Sequence, residues 1–114
     1  MRINYIRKDL QYLFRNNIRK VLHYSDATIE ELAKECGLSR VGMSQIFLRC
    51  NDPKNPGIGG IHFLSVLYAC YFMIAKRNMD SEIKKVCIKM LDEVRDDYLE
   101  KGFYEQKGDI PDEQ

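Results

Sequence analysis

Two side chains in the segment S-R-V-G-M-S-Q-I-F-L at 39–48 end in planar groups that can each form two parallel hydrogen bonds. The guanidinium of Arg40 matches O6 and N7 of guanine, and the amide of Gln45 matches N6 and N7 of adenine. Val41 offers an apolar contact of the kind that packs on a thymine methyl group. No acidic residue occurs from 39 to 50. The segment therefore predicts a helix whose outward face reads base edges in the major groove of DNA.

Further polar side chains surround these groups, and the donors that follow the helix predict contacts to the DNA backbone. Ser39 and Ser44 share the outward face, and donors just past a reading helix commonly reach phosphate. The N–H groups that begin the preceding helix attract anions as well. The candidate DNA-binding residues are Thr28, Ser39, Arg40, Val41, Ser44, Gln45, Arg49, Lys54 and Asn55.

Two short helices must hold this face outward, and the residues around it predict them. The sequence T-I-E-E at 28–31 is a capping box that starts a helix near Ile29. Gly37 suits the positive φ of a turn, and Ser39 is a good N-cap for a third helix over about 40–48. Ala33 is small where the two helices would approach one another. This spacing predicts a helix-turn-helix.

Apolar periodicity predicts three further helices. They span about 4–23, 61–76, and a stretch from Asp80 or Ser81 to Lys101 that Gly102 ends. The segment N-D-P-K-N-P-G-I-G-G at 51–60 predicts a loop. No strand pattern appears, so the predicted fold is all-α with five helices. The expected organisation is a core over 1–78, a C-terminal helix over 79–104, and a frayed acidic tail over 105–114.

The stretch L-A-K-E-C-G-L-S-R-V-G-M-S-Q-I at 32–46 resembles the helix-turn-helix of the lambda-repressor and Cro family. The resemblance spans about residues 10–75. It implies a five-helix, sequence-specific regulator of transcription, a repressor in many such proteins, that binds double-stranded DNA. The chain departs from the family at Ile29, where a glutamine is usual, and at Phe47, where a glutamate is common. A protein-interaction module, such as an antitoxin or a mobile-element inhibitor on the same scaffold, therefore stays an alternative.

Charge is distributed unevenly along the chain. The net charge is +1, but residues 1–60 carry ten Lys and Arg against six Asp and Glu, whereas residues 61–114 carry eight against eleven. The half that contains the predicted reading helix is thus the basic half, as a surface facing phosphates requires.

The wide apolar stripe of the fifth helix predicts a homodimer, because two copies of a small reading domain are usually needed for useful specificity. The alternative is that this helix only packs back on helices one and four. Aromatic side chains near its end favour an interface. The candidate interface residues are Met90, Val94, Tyr98, Leu99 and Phe103.

Several classes of function are not expected. The four cysteines and two histidines lack the spacing of zinc ligands, and no phosphate-binding loop or catalytic histidine pattern occurs, so no enzyme activity, metal or cofactor is predicted. The longest apolar run is too short to cross a bilayer, so no membrane association is expected. Reduced cysteines favour a cytoplasmic protein. Cys50, at the predicted helix–loop boundary, is the candidate for a reactive thiol.

Overall fold

The computed structural model describes residues 4–105, which form five α-helices joined by short connections. The helices are α1 (Lys8–Tyr24), α2 (Ile29–Cys36), α3 (Arg40–Asn51), α4 (Gly60–Lys76) and α5 (Ser81–Lys101). The one β-type contact in this part of the chain is an isolated bridge between Tyr5 and Gly59. The all-α prediction is confirmed. No helix within 4–105 has the length and apolar character needed to cross a membrane.

The caps of α2 and α3 are the ones that the sequence predicts. The Thr28 hydroxyl accepts a hydrogen bond from the Glu31 N–H at 3.0 Å, and the Glu31 carboxylate accepts one from the Thr28 N–H at 2.8 Å. Gly37 ends α2 at a φ of 74°, a conformation that costs glycine little. The Ser39 hydroxyl then accepts from the Gly42 N–H at 3.0 Å. Since no breaker occurs before Pro53, α3 continues to Asn51 rather than ending near residue 48.

The predicted start of the first helix is wrong, because residues 4–7 are extended. The Ile6 N–H donates to the carbonyl oxygen of Ile58 at 3.0 Å, and the Arg7 N–H donates to that of Phe103. The Arg7 guanidinium also donates to the Gly102 carbonyl oxygen at 2.8 Å and to Asp97 at 2.7 Å. These long-range contacts satisfy backbone groups that a helix would otherwise bond locally, and they join the N-terminal segment to the end of α5.

The core is centred on Phe14 of α1, which is fully buried. Its ring lies 4.9 Å from that of Phe63 in α4 and 6.5 Å from that of Phe47 in α3, measured between centroids. Buried side chains from all five helices join this cluster. The helix that carries the candidate site and the longest apolar helix therefore share one packed interior.

Gln11 holds the loop between α3 and α4 against α1. Its buried amide donates to the carbonyl oxygens of Ile6 and Pro56 at 2.8 and 2.9 Å and accepts from the Ile58 N–H at 3.2 Å. Gly57 has a φ of 99°, and a side chain at that position would collide with Gln11. The loop is thus fixed by a polar contact with α1 as well as by its own turns.

Helix α5 packs along α1 and α4 of its own chain, which corrects part of the predicted interface. Val94 is fully buried in the core and is unavailable to a second copy. Tyr98 and Phe103 are partly buried and stack on one another with ring centroids 4.6 Å apart. Met90 is also partly buried, so Leu99, which is 67% exposed, is the most accessible of the five residues.

The predicted frayed tail over 105–114 lies outside the described residues, apart from Glu105. Cys50 is the next-to-last residue of α3, beside the loop as predicted, but it is fully buried. Burial raises the pKa of the Cys50 thiol to about 12, which leaves almost no thiolate at neutral pH. The prediction of a reactive thiol at this position is therefore wrong.

Candidate nucleic-acid interface

The outward face of α3 is exposed along its length. Val41 and Leu48 are 70% and 61% accessible to solvent, and Arg40 and Gln45 are exposed as well. Ser44 is partly buried. The opposite side of the helix consists of Met43, Ile46, Phe47 and Cys50, all of which are buried in the core. The leading edge of α3 is therefore uncovered by any residue in 4–105, as a helix that enters a groove requires.

Ser39 and Thr28 both serve as helix caps, which limits what their hydroxyl groups can offer a ligand. The Ser39 oxygen accepts from the Gly42 N–H, so its proton stays free to be donated. The Thr28 hydroxyl accepts from the Glu31 N–H and also lies 3.4 Å from the Glu31 carboxylate, to which it can donate. Thr28 therefore stabilises the start of α2, a role that the prediction of a DNA contact did not include.

The three predicted loop contacts differ in how free their side chains are. Lys54 is exposed, whereas Asn55 is partly buried and accepts a hydrogen bond from the Gly57 N–H at 2.8 Å. Arg49 is partly buried at the end of α3. The Lys8 ammonium donates to the carbonyl oxygens of Arg49 and Asn55, both at 2.8 Å. The loop is thus held by a cation from α1, and Lys54 is the side chain best placed to meet a phosphate.

Two arginines that the sequence does not single out lie beside α3. Arg15 and Arg19 are one turn apart on α1, and they line a groove of about 270 Å³ together with residues from α2 and α3. The other lining residues are Ile29, Ser44, Phe47, Leu48 and Asn51. The sequence indicates only that both arginines lie outside the apolar face of α1 and are therefore expected at the surface. Their position beside α3 follows only from the packing of the two helices.

The cations of α1, α3 and the loop after α3 differ from those elsewhere in the described chain in their ion pairing. Within residues 4–105, no ion pair includes a cation between residues 8 and 54. The cations that do pair with a carboxylate are Arg7, Lys76, Arg77, Lys85, Arg95 and Lys101. The positive charges of α1, α3 and the following loop are therefore not neutralised by neighbouring acids in this part of the chain. Apart from Lys8, which is bound to backbone carbonyl groups, they are available to a polyanion.

The acidic residues of α2 are engaged with the end of α4. Glu35 pairs with Lys76 at 2.8 Å, and Glu31 pairs with Arg77 at 3.2 Å. Hydrogen bonds from the Thr28 N–H and from Arg77 lower the pKa of Glu31, so this carboxylate is ionised at neutral pH. Two of the three glutamates of α2 are thus compensated by cations of their own chain.

No cluster of three or more His, Cys, Asp or Glu side chains able to hold a metal ion occurs among the residues that the structure describes. Comparison of the chain with models of known protein families, with curated proteins and with solved structures gives no match.

Proposed function

We propose that this protein is a helix-turn-helix regulator of transcription, of the repressor type, which binds double-stranded DNA in a sequence-specific manner as a homodimer. The observation that carries the proposal is the exposed, acid-free outward face of α3, bordered by the cations of α1. The consecutive helices α2 and α3, with Gly37 in the turn between them, support the proposal because regulators of this kind read DNA with such a helix pair.

In the proposed complex the N-terminal half of α3 enters the major groove. Arg40 donates two hydrogen bonds to a guanine, Gln45 pairs with an adenine, and Val41 packs on a thymine methyl group. All three side chains are exposed, so none has to leave a partner in the folded chain in order to bind. Each such bidentate contact discriminates against a wrong base by about 1–3 kcal/mol.

Arg15 and Arg19 supply the contact with the DNA backbone on one flank of α3. The groove that they line also includes Ser44 and Leu48 of α3, so a phosphate bound in it beside the reading helix would lie close to both arginines. Binding of a phosphate by a cation releases condensed counterions, which makes the affinity depend on salt. Lys54 provides the corresponding charge on the loop after α3.

The test is the double variant Arg15→Ala/Arg19→Ala, measured by DNA binding over a range of salt concentrations. The homodimer loses four phosphate contacts, two from each copy, and each contact contributes about 0.9, so the slope of log K against log salt should become shallower by about 3.6. Lys89→Ala is the matched control, since Lys89 is an exposed α5 residue without an ion pair in the described part of the chain. An unchanged slope in the double variant would show that phosphates do not reach this groove.

A protein-interaction module is the second candidate, and one observation favours it. Val41 and Leu48 expose two large apolar side chains on the same helix, which is more apolar surface than backbone binding needs. The two functions differ in their response to salt. A steep decrease of DNA affinity with salt supports the regulator, whereas no DNA binding at about 50 mM salt supports the interaction module.

A further inference from the structure

The outward face of α4 is an exposed apolar surface that the reading of DNA does not use. Ile61, Ser65, Tyr68 and Phe72 follow one another at helical spacing, and Ile61, Tyr68 and Phe72 are 82%, 50% and 60% exposed. No Asp, Glu, Lys or Arg occurs from residue 60 to residue 75. A helix face that borders water normally carries charged side chains, so this face is suited to cover by another protein surface.

An apolar groove of about 710 Å³ lies beside this row of side chains. Tyr68 and Phe72 line it together with Cys36, Ala75 and Ile88, and Glu35 is its one acidic lining residue. The surface thus offers large projecting side chains next to a cleft that can receive side chains of similar size. Projections beside a complementary cleft are what a surface needs in order to pack against itself.

We infer that a second copy of the chain covers this face and that the two α4 helices pair in antiparallel orientation about a two-fold axis. In a two-fold interface, residue i contacts residue j of the partner, and j contacts i. Residues 61 and 72 are equally far from the point between residues 66 and 67, and so are residues 65 and 68. Ile61 then meets Phe72 of the other copy, and the small Ser65 meets the large Tyr68.

The charges of the face agree with self-association. A two-fold axis brings each part of a surface close to its own counterpart, so a charged face would repel its copy, whereas the face of α4 has no formal charge to repel. Antiparallel pairing also places the positive N-terminal end of each helix dipole beside the negative C-terminal end of the other. The Lys76 ammonium does lie 4.8 Å from the centre of the Phe72 ring, but it is paired with Glu35, which lines the adjoining groove, so these two charges compensate each other within one chain.

The three large side chains supply about half of the area that a dimer of ordinary size needs. Since a large side chain buries about 150–250 Å², the exposed parts of Ile61, Tyr68 and Phe72 amount to on the order of 400 Å². A stable interface covers about 800 Å² on each partner, so exposed neighbours in and beside the row, such as Ser65 and Ala75, must contribute the rest. The face of α4 therefore replaces the stripe of α5 as the dimer surface, because most of that stripe is used within the chain.

The test measures particle mass by sedimentation in the absence of DNA. The unchanged protein should sediment at twice its chain mass of 13.4 kDa at micromolar concentration. Ile61→Glu and Phe72→Lys should each sediment as monomers, because each places an unpaired charge in the interface twice. An equal mixture of the two variants should recover the dimer, since one contact then joins Glu to Lys and the other joins Phe72 to Ile61.

The matched control is Leu99→Glu, which places a charge on an equally exposed apolar residue of α5 and should leave the dimer intact. A monomeric unchanged protein, or dimeric Ile61→Glu and Phe72→Lys variants, would overturn the inference. Failure of the mixed variants to associate would overturn the antiparallel register. The inference rests on the proposed function in one respect, which is that the proposed function calls for a homodimer. A monomeric protein would also remove the homodimer from the proposed function, but a DNA affinity that still decreases with salt would leave DNA binding by α3 standing, so the two proposals can be distinguished.

Discussion

The outward faces of α3 and α4 both expose large apolar side chains, and they differ in charge. Val41 and Leu48 on α3 are 70% and 61% exposed, and Tyr68 and Phe72 on α4 are 50% and 60% exposed. The face of α3 has Arg40 at its start and arginines of α1 beside it, whereas α4 has no formal charge until Lys76. The exposed apolar area alone therefore does not distinguish the surface that we propose for DNA from the one that we propose for a second copy. The two proposals differ in the number of unpaired cations beside each face.

The two faces depend on the same core. Phe14 of α1 contacts Phe47 on the inner side of α3 and Phe63 on the inner side of α4. Because interiors are closely packed, a change at Phe14 is transmitted to both helices. A change at an exposed residue of either face should affect that face alone.

The largest expected effect is that of Phe14→Ala, which removes the contact shared by the two faces. We expect the free energy of unfolding to decrease by about 3–5 kcal/mol, through lost burial and the cavity that remains. Urea unfolding followed by circular dichroism measures this change. Leu48→Ala, on the exposed side of α3, is the control and should change the stability by about 0.5 kcal/mol or less. Equal losses in the two variants would contradict the common core.

Arg40→Ala should change the base preference of DNA binding, which a substitution on the face of α4 should leave unchanged. We expect the free energy of specific DNA binding to weaken by about 1–3 kcal/mol and one base position to become tolerant of substitution. Phe72→Lys, on α4, should weaken the overall affinity through loss of the dimer while each half-site keeps its base preference. Binding of a panel of duplexes with single base changes measures both effects. An unchanged preference profile in Arg40→Ala would show that α3 is placed in the groove in another register.

Thr28→Ala has the smallest expected effect and tests whether this residue stabilises α2 or binds DNA. Loss of the N-cap hydrogen bond to Glu31 should reduce the free energy of unfolding by about 1 kcal/mol. Thr28→Ser keeps a hydroxyl group and should recover most of the loss. Thermal unfolding without DNA measures the contribution of the cap to stability. DNA affinity measured well below the melting temperature measures the contribution of Thr28 to DNA binding. Unchanged stability with weaker DNA binding would assign Thr28 to the interface alone.

The local signals in the sequence predict the helix pair well. The capping box at Thr28, the positive φ of Gly37 and the cap at Ser39 each depend on residues within four positions, and the structure contains all three. The end of α5 at Lys101, before Gly102, is local in the same sense. Such features are decided by backbone chemistry that neighbouring residues determine.

Long-range contacts decide what the sequence does not reveal. The spacing of Ile6 and Leu10 fits a helix, but residues 4–7 are extended because Arg7 bonds to Gly102 and Asp97, about ninety residues away. The stripe of α5 includes Val94, and its pattern cannot tell whether its own chain or a partner buries it. Arg15 and Arg19 join the candidate interface only because α1 packs beside α3.

The most direct measurement of the central claim is a selection of binding sites by the unchanged protein from a library of random DNA duplexes at about 50 mM salt. We predict enrichment of an inverted repeat whose half-sites are about 10–10.5 base pairs apart from centre to centre, with a guanine and an adenine in each half. A library that stays random after repeated rounds would contradict the assignment of α3 as a helix that reads DNA.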